Sequence, residues 1–300
     1  MLNSIEVRNA VGTLVSTLPV KSVSASSPYT IKDISGLDPV KADINTSDYA
    51  TQDGGFFQSA RTGGRNMVFK MGYQPNYVLG KTVETLRREL YSVFPPKGLI
   101  ELRFFNSDPA FKTVKIQGYV ESFSSPPFAK EPEIDVSIIC PKPYFNELDV
   151  VLKNGYSSSS IIMPYDGDAE VGFTLAVTLL DSTNRLIMKN GIDPDLELRF
   201  QVPNPITGLA DPFSPTMFDE VIFSTIPGSK SIILNRGSTV YNLLPYVKSG
   251  GLSMKLSPLV NSVTLDVGSS TSPGSEDPED WEWPIISSLQ LRCTPAYLGL

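Results

Sequence analysis

Glu133-Ile-Asp-Val-Ser-Ile-Ile-Cys-Pro-Lys-Pro-Tyr-Phe145 is the stretch on which the fold turns. Ile134, Val136, Ile138 and Cys140 alternate with Asp135 and Ser137, the period of a strand with one buried face. Pro141 and Pro143 then end the ladder, because a prolyl nitrogen has no hydrogen to donate. Tyr144 and Phe145 follow as anchor-sized aromatics. A strand and a double-proline stop, near the middle of 300 residues, predict the end of one β domain near Phe145 and the route into another.

Working back from that stretch, the first half reads as strands, one helix, and more strands. Ile100, Leu102 and Phe104 share one strand face, and Val114, Ile116, Gly118 and Val120 another, with Asn106-Ser-Asp-Pro109 turning between them. Thr82 to Phe94 is helical: Val83, Leu86, Leu90 and Val93 fall on one face, Thr82 is an N-cap, and Pro95-Pro96 stops the run. Ser4–Val11, Leu14–Leu18 and the stretch from Tyr29 to Gly36 are further strands. Tyr29, Ile31 and Asp33 are expected on one face. Residues 40–70 are two extended segments joined at Asp53-Gly54-Gly55, a strong turn signal. Their inner faces carry few large apolar residues, so about 40–65 is expected to be an arm that leaves its own core. Arg65 opens the segment that returns.

Working forward, the second half is all β by pattern. Val171, Phe173, Leu175, Val177 and Leu179 alternate cleanly, as do Leu196, Leu198, Phe200 and Val202. Val221 with Phe223, Ile232 with Leu234, Val263-Leu265-Val267, and Leu289 with Leu291 continue the pattern. Asn235-Arg-Gly237 makes a hairpin. Regular short strands of this kind predict a β-sandwich. Two long excursions, Pro203–Met217 and Gly268–Pro284, interrupt it. The domains expected are 1–145 and 146–300, mainly β with one helix.

The chemistry carried by these domains is sparse. The chain has no histidine, which removes the usual base of Ser and Cys hydrolases and all imidazole metal ligands. Neither a nucleophile elbow nor a phosphate-cradling Gly-rich loop occurs. Cys140 and Cys293 both end strands and are expected as buried thiols. Glu131, Glu133 and Asp135, and Asp166, Asp168 and Glu170, alternate as carboxylates. They fit solvated strand edges better than a glycosidase pair or a calcium loop. The reading is therefore no catalytic residues, no metal and no cofactor. Trp281 and Trp283, in an acidic loop, are the residues best suited to stack on a sugar ring, which leaves a carbohydrate-binding adhesin as the alternative function.

Charge and hydropathy narrow the partners. With 25 Lys and Arg against 32 Asp and Glu the net charge is −7, and no basic cluster supports phosphate contacts to nucleic acid. Met-Leu-Asn-Ser-Ile-Glu lacks the charged and apolar regions of a secretory signal, and no apolar run is long enough to span a bilayer.

Taken together the chain resembles the distal tail protein (Dit) family of long-tailed bacteriophages. In the first half the resemblance rests on Tyr29-x-Ile-x-Asp33-Ile34-x-Gly36-Leu37, on Asp53-Gly54-Gly55 followed by Arg65, and on the helix ending Leu90-Tyr-Ser-Val-Phe-Pro95. Ile116-x-Gly118-Tyr119-Val120-Glu121 and Ile138-x-Cys140-Pro-x-Pro143-Tyr144-Phe145 extend it. In the second half it rests on Gly167-Asp168-Ala-Glu-x-Gly172-Phe173, Leu186-Ile187-x-x-Asn190, Asp219-x-Val221-Ile222 and Gly228-x-Lys230-Ser231-Ile232. The family's Pro-Gly-x-Asn turn is here Ser257-Pro258-Leu259-Val260-Asn261, without the glycine. The resemblance implies a hexameric ring formed by 1–145, an arm that grips the neighbouring copy through residues such as Asp53, Gly54, Gly55 and Arg65, and a galectin-like sandwich from 146–300. It implies a place in the virion tail tip or baseplate after assembly in the host cytoplasm. The ring would contact the tail tube protein, the tip or hub protein and receptor-binding or side-fibre proteins, touch no membrane, and let DNA pass without specific binding. The galectin-like label carries no implication of sugar binding, since galectins use a histidine that this chain lacks.

Overall fold

Glu133–Cys140 is a strand in the computed structural model of the chain, with Ile134, Val136, Ile138 and Cys140 buried and Asp135 at the surface. The structure describes residues 2–21, 27–108, 111–126, 133–156, 160–163, 165–200, 213–258, 262–270, 281–282 and 286–300. The fold is mainly β with one α-helix among the described residues. The chain divides into two compact units, Met1–Leu148 with Tyr297–Leu300, and Asp149–Ala296.

The first unit contains β1 (Leu2–Asn9), β2 (Leu14–Pro19), β3 (Tyr29–Ser35), β4 (Ala42–Asp48), β5 (Gly55–Thr62), β6 (Arg65–Tyr73), α1 (Val83–Val93), β7 (Leu99–Asn106), β8 (Val114–Ser124), β9 (Glu133–Cys140) and β10 (Phe145–Glu147). Seven of the strands hydrogen-bond in the order β2-β1-β7-β8-β9-β6-β3. The edges β2 and β3 meet at a parallel bridge between Val20 and Ile31, and the Lys21 N–H donates to the Ile31 carbonyl at 2.9 Å. The sheet is thereby closed into a barrel, which hides both edges from other chains. Ile5, Val7, Ile31, Met67, Phe69, Leu102, Phe104, Ile116, Val136 and Ile138 fill its interior. Leu86, Leu90 and Val93 of α1 join the same core.

The helix forms as its spacing predicts. The Thr82 hydroxyl accepts the Thr85 N–H at 3.2 Å, satisfying one of the free donors of the first turn, and Phe94 ends the helix before Pro95. Two strands differ from the sequence reading. A bulge between Ile31 and Asp33 turns Asp33 out to solvent. β8 runs on to Ser124, past the Val114–Val120 alternation, because a bulge between Val120 and Ser122 lets the longer strand stay paired with β9. Gly118 is fixed by closeness at this pairing: a Cβ there would stand 2.6 Å from Ile138 Cγ2 and 2.7 Å from Cys140 Sγ.

After Pro141 and Pro143 the chain does not leave the sheet at once. β10 pairs with β8, Asn146 opposite Lys115 and Glu147 opposite Val114. Phe145 is fully buried, edge-on to Phe104 at 5.5 Å between ring centroids. Tyr297–Leu300 returns to this unit: the Leu300 N–H donates to the Leu37 carbonyl at 3.2 Å.

The second unit contains β11 (Val151–Tyr156), β12 (Ser160–Ile162), β13 (Phe173–Leu179), β14 (Arg185–Lys189), β15 (Leu196–Arg199), β16 (Glu220–Ser224), β17 (Ser231–Arg236), β18 (Thr239–Asn242), β19 (Val247–Ser249), β20 (Ser262–Ser270), β21 (Trp281–Glu282) and β22 (Ile286–Cys293). One sheet runs β11-β22-β13-β16-β17-β18 and the other β12-β20-β14-β15-β19, with β21 on β20. Phe173, Leu175, Val177, Val221, Phe223, Ile232, Leu234, Leu289 and Leu291 of the first sheet share one core with Leu186, Met188, Leu196, Leu198 and Val263 of the second. Two sheets over a common core make a sandwich.

Candidate assembly site

Among the described residues, β4 and β5 pair only with each other. Ala42 faces Thr62 at the root, Ile44 faces Ala60, Thr46 faces Phe57, and Asp48 faces Gly55 near the tip, with a bulge that leaves Gln58 unpaired in the register. At about 3.3 Å per residue the ribbon reaches roughly 20 Å. Gly54, with φ 97°, makes the tip turn, and the Tyr49 N–H closes it on the Gly54 carbonyl at 3.2 Å.

Register gives the ribbon two unlike faces. Paired residues share a face, so Ala42, Ile44, Thr46, Phe57 and Ala60 lie together. Ile44 is 66% and Phe57 64% exposed. The opposite face carries the Asp43–Arg61 ion pair at 3.5 Å and the Asn45–Gln58 hydrogen bond at 3.0 Å. Tyr49 and Phe56 pack at 5.7 Å between centroids near the tip. The exposed ion pair adds little, since such pairs are worth about 0–1 kcal/mol. One face is thus an apolar strip with nothing of its own chain over it among the described residues. The sequence reading missed this strip. Its signal was the register: Phe57 looks isolated in sequence and meets Ile44 only across the two strands.

Asp53, Gly54 and Gly55 sit at the tip, and Arg65 sits at the root; the structure does not bring them together. Arg65 is 2% exposed. Its Nε donates to the Pro143 carbonyl at 2.7 Å and Nη1 to the Asp38 carbonyl at 2.8 Å, with further bonds from Nη1 to the Gly36 carbonyl and from Nη2 to the Leu298 carbonyl. Its guanidinium stands over the Phe145 ring at 4.4 Å. Burial draws the Arg65 pKa down, against the opposing pull of Cys140 and Asp38. One fork therefore ties the segment entering the ribbon, the proline connector and the returning tail. Gly36 is obligatory here: with φ 85°, a Cβ would fall 2.1 Å from the Asn66 carbonyl oxygen.

Outside the ribbon, Cys140 and Cys293 are both buried free thiols. Burial pushes the Cys140 pKa up to about 11 despite nearby Arg65, so it is the protonated, inert kind of cysteine. Glu133 pairs with Lys32 at 2.5 Å and Glu170 with Lys255 at 2.8 Å, all at the surface. Asp135, Asp166 and Asp168 are exposed. No cluster of metal-ligating side chains occurs among the described residues. Trp281 has its backbone in β21, opposite Ser270. Trp283, Glu131 and Leu259–Asn261 lie outside the described residues. No described helix is long and apolar enough to cross a membrane.

A closed barrel with a free ribbon, followed by a sandwich, has known counterparts. Residues 16–140 match the family described as "Phage tail protein RIFT-related domain". The whole fold matches the crystal structure of the Dit protein (gp 19.1) of phage SPP1, with a TM-score of 0.59 and 13% identity over 97% of this chain and 98% of that one. The fold is Dit-like, and residues 16–140 carry the match to a phage tail domain. That domain spans β2 to β9, the part of the barrel from which the ribbon emerges. The SPP1 protein is described as a paradigm of the hub adsorption apparatus in phages infecting Gram-positive hosts. A chain of the phage P2 baseplate in its activated conformation aligns with a TM-score of 0.42 and 10% identity over 98% of each chain. Comparison with curated protein sequences finds no match.

Proposed function

We propose that the chain is a structural component of a phage tail tip or baseplate, in which six copies close into a ring. The ring joins the tail tube to the tip or hub protein and to receptor-binding or side-fibre proteins, and its lumen passes DNA without binding it. The chain works by assembly, without catalysis, cofactor or membrane contact, and it is built into the virion in the host cytoplasm. The observation that carries this reading is the Ala42–Thr62 ribbon. A two-stranded ribbon alone is marginally stable in water, and Ile44 and Phe57 gain burial only against another molecule. In a ring each copy offers its ribbon to the next, a head-to-tail contact that closes on itself. The count of six follows the family resemblance.

The test is the mass and shape of the purified chain. Light scattering and class-averaged electron micrographs are expected to give six-fold rings. Replacing residues 43–61 with a short glycine turn is expected to give single copies whose circular dichroism retains the barrel. Single copies of the intact chain at tens of micromolar, or rings from the ribbonless variant, would end the proposal.

A further inference from the structure

Ser214–Asp219, leading into β16, holds two large apolar side chains in water. The Asp219 N–H donates to the Thr216 carbonyl at 3.1 Å and closes a four-residue turn with Met217 and Phe218 at its centre. Phe218 has φ 67°, the left-handed region that glycine or asparagine occupies and a bulky side chain resists. Phe218 is nevertheless 70% exposed and Met217 51%. Neither residue fills the core of its own unit, so packing among the described residues does not account for a phenylalanine at a strained position.

The turn is held rigid from behind. The Asp219 carboxylate is buried and accepts the Thr216 N–H at 2.7 Å and the Thr216 hydroxyl at 3.2 Å. Arg236 donates to it through Nε at 3.0 and 3.1 Å and through Nη2 at 2.6 Å. The same Nη2 donates to the Ser214 carbonyl at 2.9 Å, so one guanidinium bolts both ends of the segment. Phe213 and Tyr241 lie under that guanidinium at 5.5 and 5.7 Å. The Phe218 N–H donates to the Leu179 carbonyl at 2.8 Å and the Thr183 N–H to the Pro215 carbonyl at 3.1 Å. A backbone fixed this firmly loses little conformational freedom on docking, which lets an aromatic carried on it act as an interface anchor.

Charge identifies the occupant. Arg236 is neutralised by Asp219, while Asp181, two residues beyond the carbonyl that receives Phe218, is exposed, and Glu220 follows the turn. Val240, 63% exposed, lies at the same end of the sheet across the register Glu220–Asn235–Val240. The Asp149–Ala296 unit as a whole has 9 Lys and Arg against 17 Asp and Glu, a net −8. We propose that Met217 and Phe218 are a rigid apolar plug by which the second unit docks into an apolar pocket, rimmed by Lys and Arg, on another protein of the tail. The proposal rests on the chain being a tail component and is independent of the ring.

The experiment compares the purified chain with tails that contain it. Both are oxidised by hydroxyl radicals, and sulfoxide at Met217 is read by mass spectrometry, with buried Met254 as the internal reference. Met217 is expected to be oxidised several-fold less in tails. Phe218→Gly, which relaxes the turn, is expected to keep or raise the melting temperature and leave the mass of the free assembly unchanged. It is expected to lower partner content and infectivity of the tails by at least about tenfold. A photo-crosslinking phenylalanine at position 218 is expected to join a peptide of a different tail protein rich in Lys, Arg and apolar residues. Equal oxidation in both samples, Phe218→Gly tails of normal composition, or a crosslink only to a second copy of the chain would each overturn the proposal. Failure of the ring reading would show instead in the mass of the free chain, which Phe218→Gly leaves alone.

Discussion

Arg65 shows how one side chain can serve a whole domain. The family resemblance implied Arg65 as a contact for a neighbour; in the structure it is buried and gives its fork to four carbonyls of its own chain. Lysine cannot replace it, because an ammonium lacks the planar spread that reaches the Gly36–Asp38 turn, Pro143 and Leu298 together. Arg65→Ala leaves buried carbonyls unpaired and is expected to cost about 3 kcal/mol or more, with Arg65→Lys recovering part of it. Cys140, opposite Arg65 in the β6–β9 register, supplies the readout. Its pKa, raised to about 11 by burial, makes it nearly inert to iodoacetamide at pH 8. Arg65→Ala is expected to speed alkylation at Cys140, measured by mass spectrometry, at least about tenfold; an unchanged rate would show that the fork does not hold this end of the barrel.

At the scale of elements, the sequence was informative wherever one element packs against its own core. The alternation in Glu133–Cys140 and the stripe Leu86, Leu90 and Val93 became a barrel strand and a core helix because burial on one face writes a period into the chain. The bulges at Lys32 and Glu121 were silent, since one inserted residue changes the facing of a strand without changing its composition. The closing bridge between Val20 and Ile31 was equally invisible, as barrel closure is a property of pairing. The two extended segments of the ribbon were legible from the Asp-Gly-Gly turn and their poor core, while its apolar strip required the register. A ribbon held by cross-strand bonds alone opens readily, so the amides of 43–61 are expected to exchange with deuterium within seconds in the single copy. In the assembly they are expected to be protected by at least about a hundredfold; equal exchange in both states would place the contact elsewhere.

At the scale of the molecule, the acidity of the chain has an address. Met1–Leu148 with Tyr297–Leu300 carries 16 Lys and Arg against 15 Asp and Glu, a net +1, so the −8 of the sandwich accounts for the whole excess. Each unit has a separate core, and residues 149–296 made alone are expected to melt in one cooperative transition by circular dichroism. Residues 1–148 alone are expected to fold with faster alkylation of Cys140 than the intact chain, because they lack the Leu298 carbonyl. Equal rates would make that bond dispensable. The return of Tyr297–Leu300 also sets a clock. A ribosome that has finished the last barrel strand must still make all of Asp149–Ala296 before Leu298 emerges, on the order of ten seconds or more at cellular elongation rates. Through that interval the root of the ribbon is incompletely tied. The chain's own order of synthesis thus delays a fully tied ribbon root until the sandwich exists, and a truncated translation product never acquires one.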